Sequence, residues 1–299
     1  MKALPYRKID AFTTGPSLGN PAACIYLDET QTLTDSELLD IAKQHKGFVS
    51  EVVYCKELSS SSYYLPSSYH LTYYSSECEV DFCGHGTIAC LYTLIVKHPC
   101  LMRQKEFVFQ PHKKGTLRVY NEVAAHDSVY ITAPTPQYIG TSVERRHMAE
   151  TLGVRLEAVS EALPLDVIDA GLRTLIVPIS SLQEELTIWP DEQALKQFCV
   201  TEDIDIVLLF SNETRDRNNI AHTRVFAPRF GYLEDPATGS GNSAFGYYML
   251  KNNLWDGAPV SVEQGGADRI FNLVCLQERE GRVLFGGRAT TRIRGVYYL

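Results

Sequence analysis

The sequence predicts an α+β protein built from two similar halves, and three observations lead to that prediction. The chain has 299 residues, a length that suits two domains of about 150 residues each. Strand patterns outnumber helix patterns, and each half carries one conspicuously apolar helix pattern. A glycine-rich motif also occurs twice, which is typical of an internal repeat. We therefore predict two pseudo-symmetric domains, residues 1–125 and 126–299, the first of which can recruit a strand from the C-terminus.

The repeated motif reads E-V-D-F-C-G-H-G-T-I-A-C-L-Y-T-L at residues 79–94 and E-D-P-A-T-G-S-G-N-S-A-F-G-Y-Y-M at residues 234–249. Chance gives about one identical position in a stretch this long. Glycines followed by small residues and an apolar run predict two helix N-termini with accessible backbone, a structure that binds anions. At an offset of 155 residues, the identical pairs are Glu79/Glu234, Gly84/Gly239, Gly86/Gly241, Ala89/Ala244 and Tyr92/Tyr247.

The first half opens with two strand patterns, residues 6–13 and 22–27, around a run of turn formers, which predicts a hairpin-like start. Residues 34–46 predict a capped amphipathic helix, because Thr34 stands three residues before Glu37. The remaining predicted elements are a strand at 50–55, a serine-rich surface loop with a strand around 69–74, a helix at 88–97, strands at 106–110, 116–120 and 128–133, and a domain crossover near 121–127.

The second half repeats this order. Gly171 and the strand after it match Gly19 and the strand at 22–27 at an offset of 152 residues, so the repeat extends beyond the glycine motif. The predicted elements are helices at 142–152, 191–199 and 242–252, and strands within 166–179 and at 204–210, 221–227, 259–263, 270–276, 282–287 and 290–297.

Composition excludes several classes of partner. The 28 basic and 36 acidic residues give a net charge of −8 without a lysine- or arginine-rich block, which argues against nucleic-acid binding. No segment approaches eighteen consecutive apolar residues, and the first residues lack an apolar stretch of signal-peptide length. We therefore expect no membrane partner and a cytoplasmic protein.

The cysteines and histidines predict no metal site and no cofactor. The eight cysteines contain no C-x-x-C pair and sit largely in apolar strings, which is typical of buried thiols in a reducing compartment. The histidines outside the glycine motif show no ligand spacing with each other or with cysteine. G-x-G occurs at Gly84–Gly86 and Gly239–Gly241, and neither belongs to a full dinucleotide fingerprint.

Five segments, in order along essentially the whole chain, resemble the phenazine-biosynthesis PhzF-like family, which belongs with the diaminopimelate epimerases. The resemblance implies two diaminopimelate-epimerase-like domains, each a β-barrel-like sheet around a central helix, with the active site in the cleft between them, and a homodimer. The segments are Y-R-K-I-D-A-F-T-T-G-P-S-L-G-N-P-A-A, Ser50-Glu51, C-G-H-G-T-I-A, R-V-F-A-P-R-F-G-Y-L-E-D-P-A-T-G-S-G and E-Q-G-G-A-D-R.

The resemblance also implies a function, that of a cofactor-free isomerase that moves a proton on a small carboxylic acid. Glu51 matches the general acid/base of the family, and His85 and Asp235 complete the implied catalytic residues. A carboxylate in a poorly solvated cleft can take a carbon-bound proton and return it elsewhere. Helix N-termini would hold the substrate carboxylate and stabilise developing negative charge. The expected substrate-binding residues are Asn20, Gly84, Gly86, Gly239, Ser240 and Gly241.

Two alternatives stay open at this point. Epimerases of the wider superfamily pair two cysteines, whereas here the matching positions are Cys83 and Thr238, so racemisation by two thiols is not expected. A cysteine and threonine pair resembles hydroxyproline dehydratases, which makes a dehydratase of a hydroxy amino acid the first alternative. A protein that binds a small acid without turnover is the second. We expect Thr238 to serve as a helix N-cap.

Overall fold

The computed structural model describes residues 2–28, 30–58, 68–113, 115, 117–267 and 269–299. Its helices are α1 Asp35–Gln44, α2 Gly84–Lys97, α3 Pro99–Met102, α4 Val123–His126, α5 Arg145–Leu152, α6 Leu182–Thr187, α7 Glu192–Thr201 and α8 Gly239–Lys251. Its strands are β1 Ala3–Ala11, β2 Asn20–Leu27, β3 Glu51–Leu58, β4 Ser68–Tyr74, β5 Glu79–Val80, β6 Glu106–Pro111, β7 Leu117–Glu122, β8 Ser128–Thr132, β9 Gln137–Tyr138, β10 Asp166–Asp169, β11 Arg173–Pro178, β12 Ile206–Ser211, β13 Ala221–Phe226, β14 Glu234–Asp235, β15 Val260–Gln264, β16 Asn272–Arg279, β17 Arg282–Gly287 and β18 Ala289–Tyr298.

The chain divides into two compact units. The first unit comprises Met1–Thr132 with Gly286–Leu299, and the second unit comprises Ala133–Phe285. In the first unit a mixed sheet runs in the order β18, β1, β2, β3, β4, β6, β7, β8, with parallel pairs at β2–β3 and β4–β6 and antiparallel pairs elsewhere. Helix α2 contacts strands β1, β2, β3, β8 and β18 of this sheet.

Helix α2 forms the core of the first unit because its sequence is apolar on every side. Its residues from Gly86 to Ile95 are all buried, which is typical of a helix enclosed by other elements rather than lying on a surface. Helix α1 packs on the opposite face of strands β2 and β3. There Leu38 and Ile41 form one apolar cluster with Ile25 and Tyr54. Strands β2 and β3 are therefore covered on both faces, as expected of a parallel pair.

The second unit has a mixed sheet in the order β9, β10, β11, β12, β13, β15, β16, with parallel pairs at β11–β12 and β13–β15. Helix α8 contacts β10, β11, β12 and β16 and is buried along most of its length. Helices α5 and α7 contribute Met148, Leu195 and Phe198 to a separate apolar cluster with residues of β10–β13. Each unit is thus a mixed sheet packed on an apolar helix that begins at the glycine motif.

Most local predictions from the sequence are confirmed. Strands β1 and β2 form the predicted antiparallel hairpin, and α1 begins with a complete capping box between Thr34 and Glu37. Strand β4 covers the segment predicted around 69–74, while the serine-rich stretch at 59–67 lies outside the described residues. The predicted crossover segment holds the short helix α4, and helix α6 went unpredicted. Among the helices described here, none is long and apolar enough to span a membrane.

Candidate active site

The glycine motif of the first unit begins a helix whose N-cap is a cysteine. Cys83 has extended backbone geometry, and its Sγ accepts a hydrogen bond from the Gly86 amide at 3.3 Å. A sulfur is a weak acceptor, but here it takes the place that a serine or threonine oxygen usually has at this position. Gly86 must lack a side chain, because a Cβ there would lie 2.6 Å from Val53 Cγ2 and 2.9 Å from Cys83 Sγ.

Strand β3 brings Glu51 to the same place. Glu51 is the first residue of β3, and side chains two apart on a strand share a face, so Glu51 points to the side on which Val53 meets Gly86. Residue 51 also lies opposite Ala22 in the parallel pair β2–β3. Asn20, the first residue of β2, is buried at this end of the sheet.

Three ionisable side chains meet at this helix start. Glu51 Oε2 lies 3.2 Å from His85 Nε2 and 3.7 Å from Cys83 Sγ. The sulfur also lies 3.5 Å from His85 Nδ1 and 3.7 Å from His85 Nε2. The side chains of Glu51 and His85 are 22 % and 13 % exposed, and Cys83 is buried, so this cluster is largely shielded from water yet open at the carboxylate.

The environment of the cluster shifts two of its pKa values. Burial raises the pKa of the Cys83 thiol and outweighs the opposite influence of His85. Burial alone would lower the pKa of His85, but its contacts with Cys83 and Glu51 raise it well above its usual value. Perturbed ionisable groups that contact one another are typical of sites that move protons. Within the described residues, Glu51, Cys83 and His85 are also the one trio of metal-ligand type whose ligand atoms lie within 4.8 Å of one another.

The glycine motif of the second unit is held in another way. Thr238 stands at the N-cap of α8 as predicted, but its hydroxyl makes no capping hydrogen bond, so the expectation that it caps the helix by its side chain is wrong. Its Oγ1 donates instead to Asp235 Oδ2 at 2.5 Å. Gln264 Oε1 of β15 accepts from the Thr238 amide at 2.9 Å and from Asn242 Nδ2 at 2.7 Å. The amide of the N-cap residue is therefore satisfied by a side chain 26 residues away.

The amide of Gln264 completes this arrangement. Its Nε2 donates to the Asp235 carbonyl oxygen at 2.9 Å and to Thr238 Oγ1 at 3.1 Å. Asp235, Thr238, Asn242 and Gln264 are all buried. Their side-chain amides and hydroxyl are neutral, and they hold one carboxylate in a fixed orientation. Asn242 and Gln264 were not predicted as site residues, although Gln264 belongs to the E-Q-G-G segment that carried the family resemblance.

The predicted substrate-binding glycines all lie in first helical turns. Gly84 and Gly86 are residues one and three of α2, and Gly239 and Gly241 have the same places in α8, with Ser240 between them half-buried. A Cβ at Gly239 would lie 2.4 Å from Phe285 Cε2, so this glycine is required by packing whatever else it does. The Gly86 amide already donates to Cys83 Sγ. A carboxylate bound at α2 would therefore use the preceding amides or displace the sulfur.

Comparison with known proteins agrees with this architecture. The family model described as phenazine biosynthesis-like protein matches residues 9–295. An uncharacterized isomerase of Bacillus subtilis, YfhB, is 29 % identical over 267 residues, which is 89 % of this chain and 87 % of that protein. A PhzF-family phenazine biosynthesis protein of Bacillus anthracis has the same fold, with a TM-score of 0.81 at 23 % identity over 100 % of both chains.

The fold also extends to epimerases. A hydroxyproline epimerase of Agrobacterium vitis, solved with bound trans-4-hydroxy-L-proline, matches with a TM-score of 0.55 at 12 % identity over 99 % of this chain and 92 % of that one. At this identity the match shows the mixed α/β fold alone. The family model covers nearly the whole chain and includes both glycine motifs. The chain therefore belongs to the phenazine biosynthesis-like protein family.

Proposed function

We propose that this protein is an isomerase that moves a proton on a small carboxylic acid without a cofactor, with Glu51 as general acid/base. The observation that carries the proposal is the meeting of Glu51 Oε2, His85 Nε2 and Cys83 Sγ within 3.7 Å of one another at the start of a buried helix. Relatives named isomerases support the reaction class. The epimerase with bound trans-4-hydroxy-L-proline supports a small carboxylic acid as substrate.

The proposed step needs one base and an electron sink. Glu51 takes a proton from a carbon next to a carbon–carbon double bond that is conjugated with the substrate's carboxyl group, and the electron pair left on that carbon delocalises as an enolate-like anion. Glu51 then returns the proton to a second, conjugated carbon, so no atom or electron is gained or lost. His85, 3.2 Å from the carboxylate, orients Glu51 throughout. The positive end of the α2 dipole stabilises the transient negative charge.

The remaining predicted residues enter as parts of the same proposal. Asp235 holds an amino or hydroxyl group of the substrate, a role that suits a buried carboxylate fixed by Thr238. Asn20, Ser240 and the amides of the four motif glycines bind its carboxylate.

The two units share the order of antiparallel and parallel pairs from β1 to β7 and from β10 to β16, which supports an origin by duplication.

The test is deuterium incorporation from heavy water into a panel of small carboxylic acids, including cyclic and amino-substituted ones, in the presence of EDTA. The wild type is compared with Glu51→Gln and with the matched control Glu79→Gln. Glu79 is a suitable control because it is also largely buried and lies 2.6 Å from a histidine, His112. We expect one acid to gain carbon-bound deuterium with the wild type and the control, and about 10²–10⁴-fold more slowly with Glu51→Gln.

The alternatives give different results in the same assay. Equal labelling by Glu51→Gln and the wild type would contradict the proposal. A product that has lost water, with turnover abolished by Cys83→Ser and retained by Glu51→Gln, would identify the dehydratase. Binding of an acid without labelling by any variant would identify a binding protein. The homodimer is a separate proposal, and light scattering distinguishes one 33.5 kDa chain from two.

A further inference from the structure

Glu51, Cys83 and His85 offer three different donor atoms to a common centre. A thiolate, an imidazole nitrogen and a carboxylate oxygen are the donors that Zn²⁺ takes in proteins. The measured separations are 3.7 Å between Sγ and Nε2, 3.7 Å between Sγ and Oε2, and 3.2 Å between Nε2 and Oε2. Two of the three side chains are partly exposed, so a cation can reach the cluster from solvent.

These separations match those of ligands around one zinc ion. Bonds of about 2.3 Å to sulfur and about 2.0–2.1 Å to nitrogen and oxygen, at tetrahedral angles, give about 3.5 Å between sulfur and either lighter ligand and about 3.3 Å between nitrogen and oxygen. The observed values differ from these by a few tenths of an ångström. A change of that size is within reach of side-chain torsions without movement of β3 or of α2.

The His85 side chain must rotate before all three ligand atoms can bind one zinc ion. Sγ lies almost equally far from the two ring nitrogens of His85, at 3.5 and 3.7 Å, whereas a metal on Nε2 lies on the side of that atom away from Nδ1. For one zinc ion to bind all three ligand atoms, the imidazole ring has to rotate about its own side-chain bonds until Nε2 faces the shared centre. Three protein ligands leave a fourth position for water, which is the pattern of an open zinc site rather than of a structural one.

We propose that Glu51, Cys83 and His85 bind one Zn²⁺ per chain and that the bound zinc inhibits the enzyme. Binding itself follows from the donor set alone. The inhibition rests on the proposed function, because a carboxylate oxygen bonded to zinc no longer accepts a proton from carbon. Zinc binding and proton transfer are thus competing uses of the same atoms, and zinc availability sets how much of the enzyme is active.

The test is titration of the metal-free protein with zinc sulfate in competition with a chromophoric zinc indicator. Wild type is compared with Cys83→Ser and with Cys100→Ser, which changes an exposed cysteine of the same unit. We expect one zinc per chain with a Kd of about 1 µM or tighter in the wild type and in Cys100→Ser. The affinity of Cys83→Ser should fall by at least about 100-fold, as expected from loss of a ligand rather than of an outer partner.

A second measurement keeps the proposal falsifiable if a variant folds poorly. X-ray absorption of the zinc-loaded wild type should show one sulfur at about 2.3 Å and lighter ligands at about 2.0–2.2 Å. Absence of stoichiometric zinc at micromolar concentration, equal affinity in Cys83→Ser, or a first shell without sulfur would each overturn the site. Zinc bound instead by exposed imidazoles such as His112 would give both equal affinity in Cys83→Ser and a first shell without sulfur.

The two proposals fail separately. The titration contains no substrate, and the deuterium assay contains EDTA, so neither result depends on the other. Turnover in a protein that binds no zinc would overturn the inference and leave the isomerase intact. Zinc binding by a protein that labels no acid would do the reverse. Where both hold, adding zinc to a deuterium assay without EDTA should stop labelling at one equivalent per chain, and EDTA added afterwards should restore it.

Discussion

Helices α2 and α8 begin with the same glycine spacing, yet their first turns are built from different chemistry. At α2 the cap is the Cys83 sulfur, and the groups around it, Glu51 and His85, can gain and lose protons. At α8 the amide at the helix start donates to Gln264, and the surrounding side chains are neutral except for Asp235. In the proposed function the first motif is the centre for proton transfer, and the second holds a single carboxylate.

The difference follows from which residues keep their local partners. Cys83 reaches three residues forward to the Gly86 amide, a contact of short sequence separation. The Thr238 hydroxyl donates to Asp235 Oδ2 and accepts from Nε2 of Gln264, 26 residues downstream, and the Thr238 amide donates to Oε1 of the same Gln264. A start held by long-range amide hydrogen bonds resists rearrangement, since each buried amide would lose a partner. A start held by a sulfur can exchange partners at lower cost.

The largest expected effect is a kinetic difference between a variant of Glu51 and a variant of Asp235. Once the deuterium assay has identified an acid, Glu51→Gln should lower kcat about 10²–10⁴-fold because the proton carrier is lost. Asp235→Asn should mainly raise KM, because in the proposed mechanism its carboxylate holds the substrate and does not move the proton. Steady-state kinetics of both variants check this. A loss of kcat in Asp235→Asn equal to that in Glu51→Gln would erase the proposed division of roles.

The second-largest effect is expected on the stability of the start of α8. Gln264→Met keeps the side-chain volume but removes the hydrogen bonds that Gln264 makes with the Thr238 amide and with the Asp235 carbonyl oxygen. The free energy of unfolding should fall by about 2–6 kcal/mol, since removing one partner from each of these two buried hydrogen bonds costs about 1–3 kcal/mol. Urea denaturation measures it. A fall below 1 kcal/mol would mean that Gln264 does not hold the start of α8.

Alanine in place of a motif glycine should destabilise the start of α2 and the start of α8 equally. The difference between the two helix starts would then lie in their polar groups. Alanine at Gly239 brings a Cβ to 2.4 Å from Phe285, and alanine at Gly86 brings one to 2.6 Å from Val53. Each variant should lose about 1–3 kcal/mol of unfolding free energy through overpacking. Gly295→Ala, with no heavy atom within 4 Å of the added Cβ, is the control and should change little. Unequal losses would point to backbone differences between the two turns.

The smallest effect is expected at the sulfur cap. Serine is a strong N-cap residue and nearly matches cysteine in size, so Cys83→Ser should change the free energy of unfolding by less than about 1 kcal/mol. Thermal denaturation followed by circular dichroism measures the change. A larger destabilisation would show that the sulfur does more for α2 than accept the Gly86 amide.

Local signals in the sequence predicted much of the fold. The spacing of Thr34 and Glu37 predicts α1, because caps depend on neighbouring residues. The doubled glycine motif predicts a helix start in each half, although the predicted helices at 88–97 and 242–252 begin four and three residues after the observed starts of α2 and α8. Helix α6 went unpredicted because it is short and buries an acidic residue, Glu185, against His222 at 3.1 Å. Only a tertiary partner makes such a residue suitable for the interior.

The candidate site was predicted less completely, for a related reason. Glu51, His85 and Asp235 were named from motifs, but the distance between Glu51 and His85 depends on the register of β3 and on the depth at which α2 is buried. Cys83 was singled out because its matching residue is Thr238 where the epimerases have a second cysteine, and its contacts with Glu51 and His85 span residues up to 32 positions apart. Gln264 acts on Thr238 over 26 positions. Contacts between residues so far apart in the sequence cannot be recognised from a local pattern of residues.

The hydrogen bond from the Gly86 amide to the Cys83 sulfur makes this one backbone group a natural reporter. Its ¹⁵N–¹H resonance should respond to whatever the sulfur does, whether it meets a substrate, a metal ion or an oxidant. Glycine amides resonate in a sparse region of such spectra, so the signal is easy to follow. A library of small acids can therefore be screened by watching one peak, before any turnover is known.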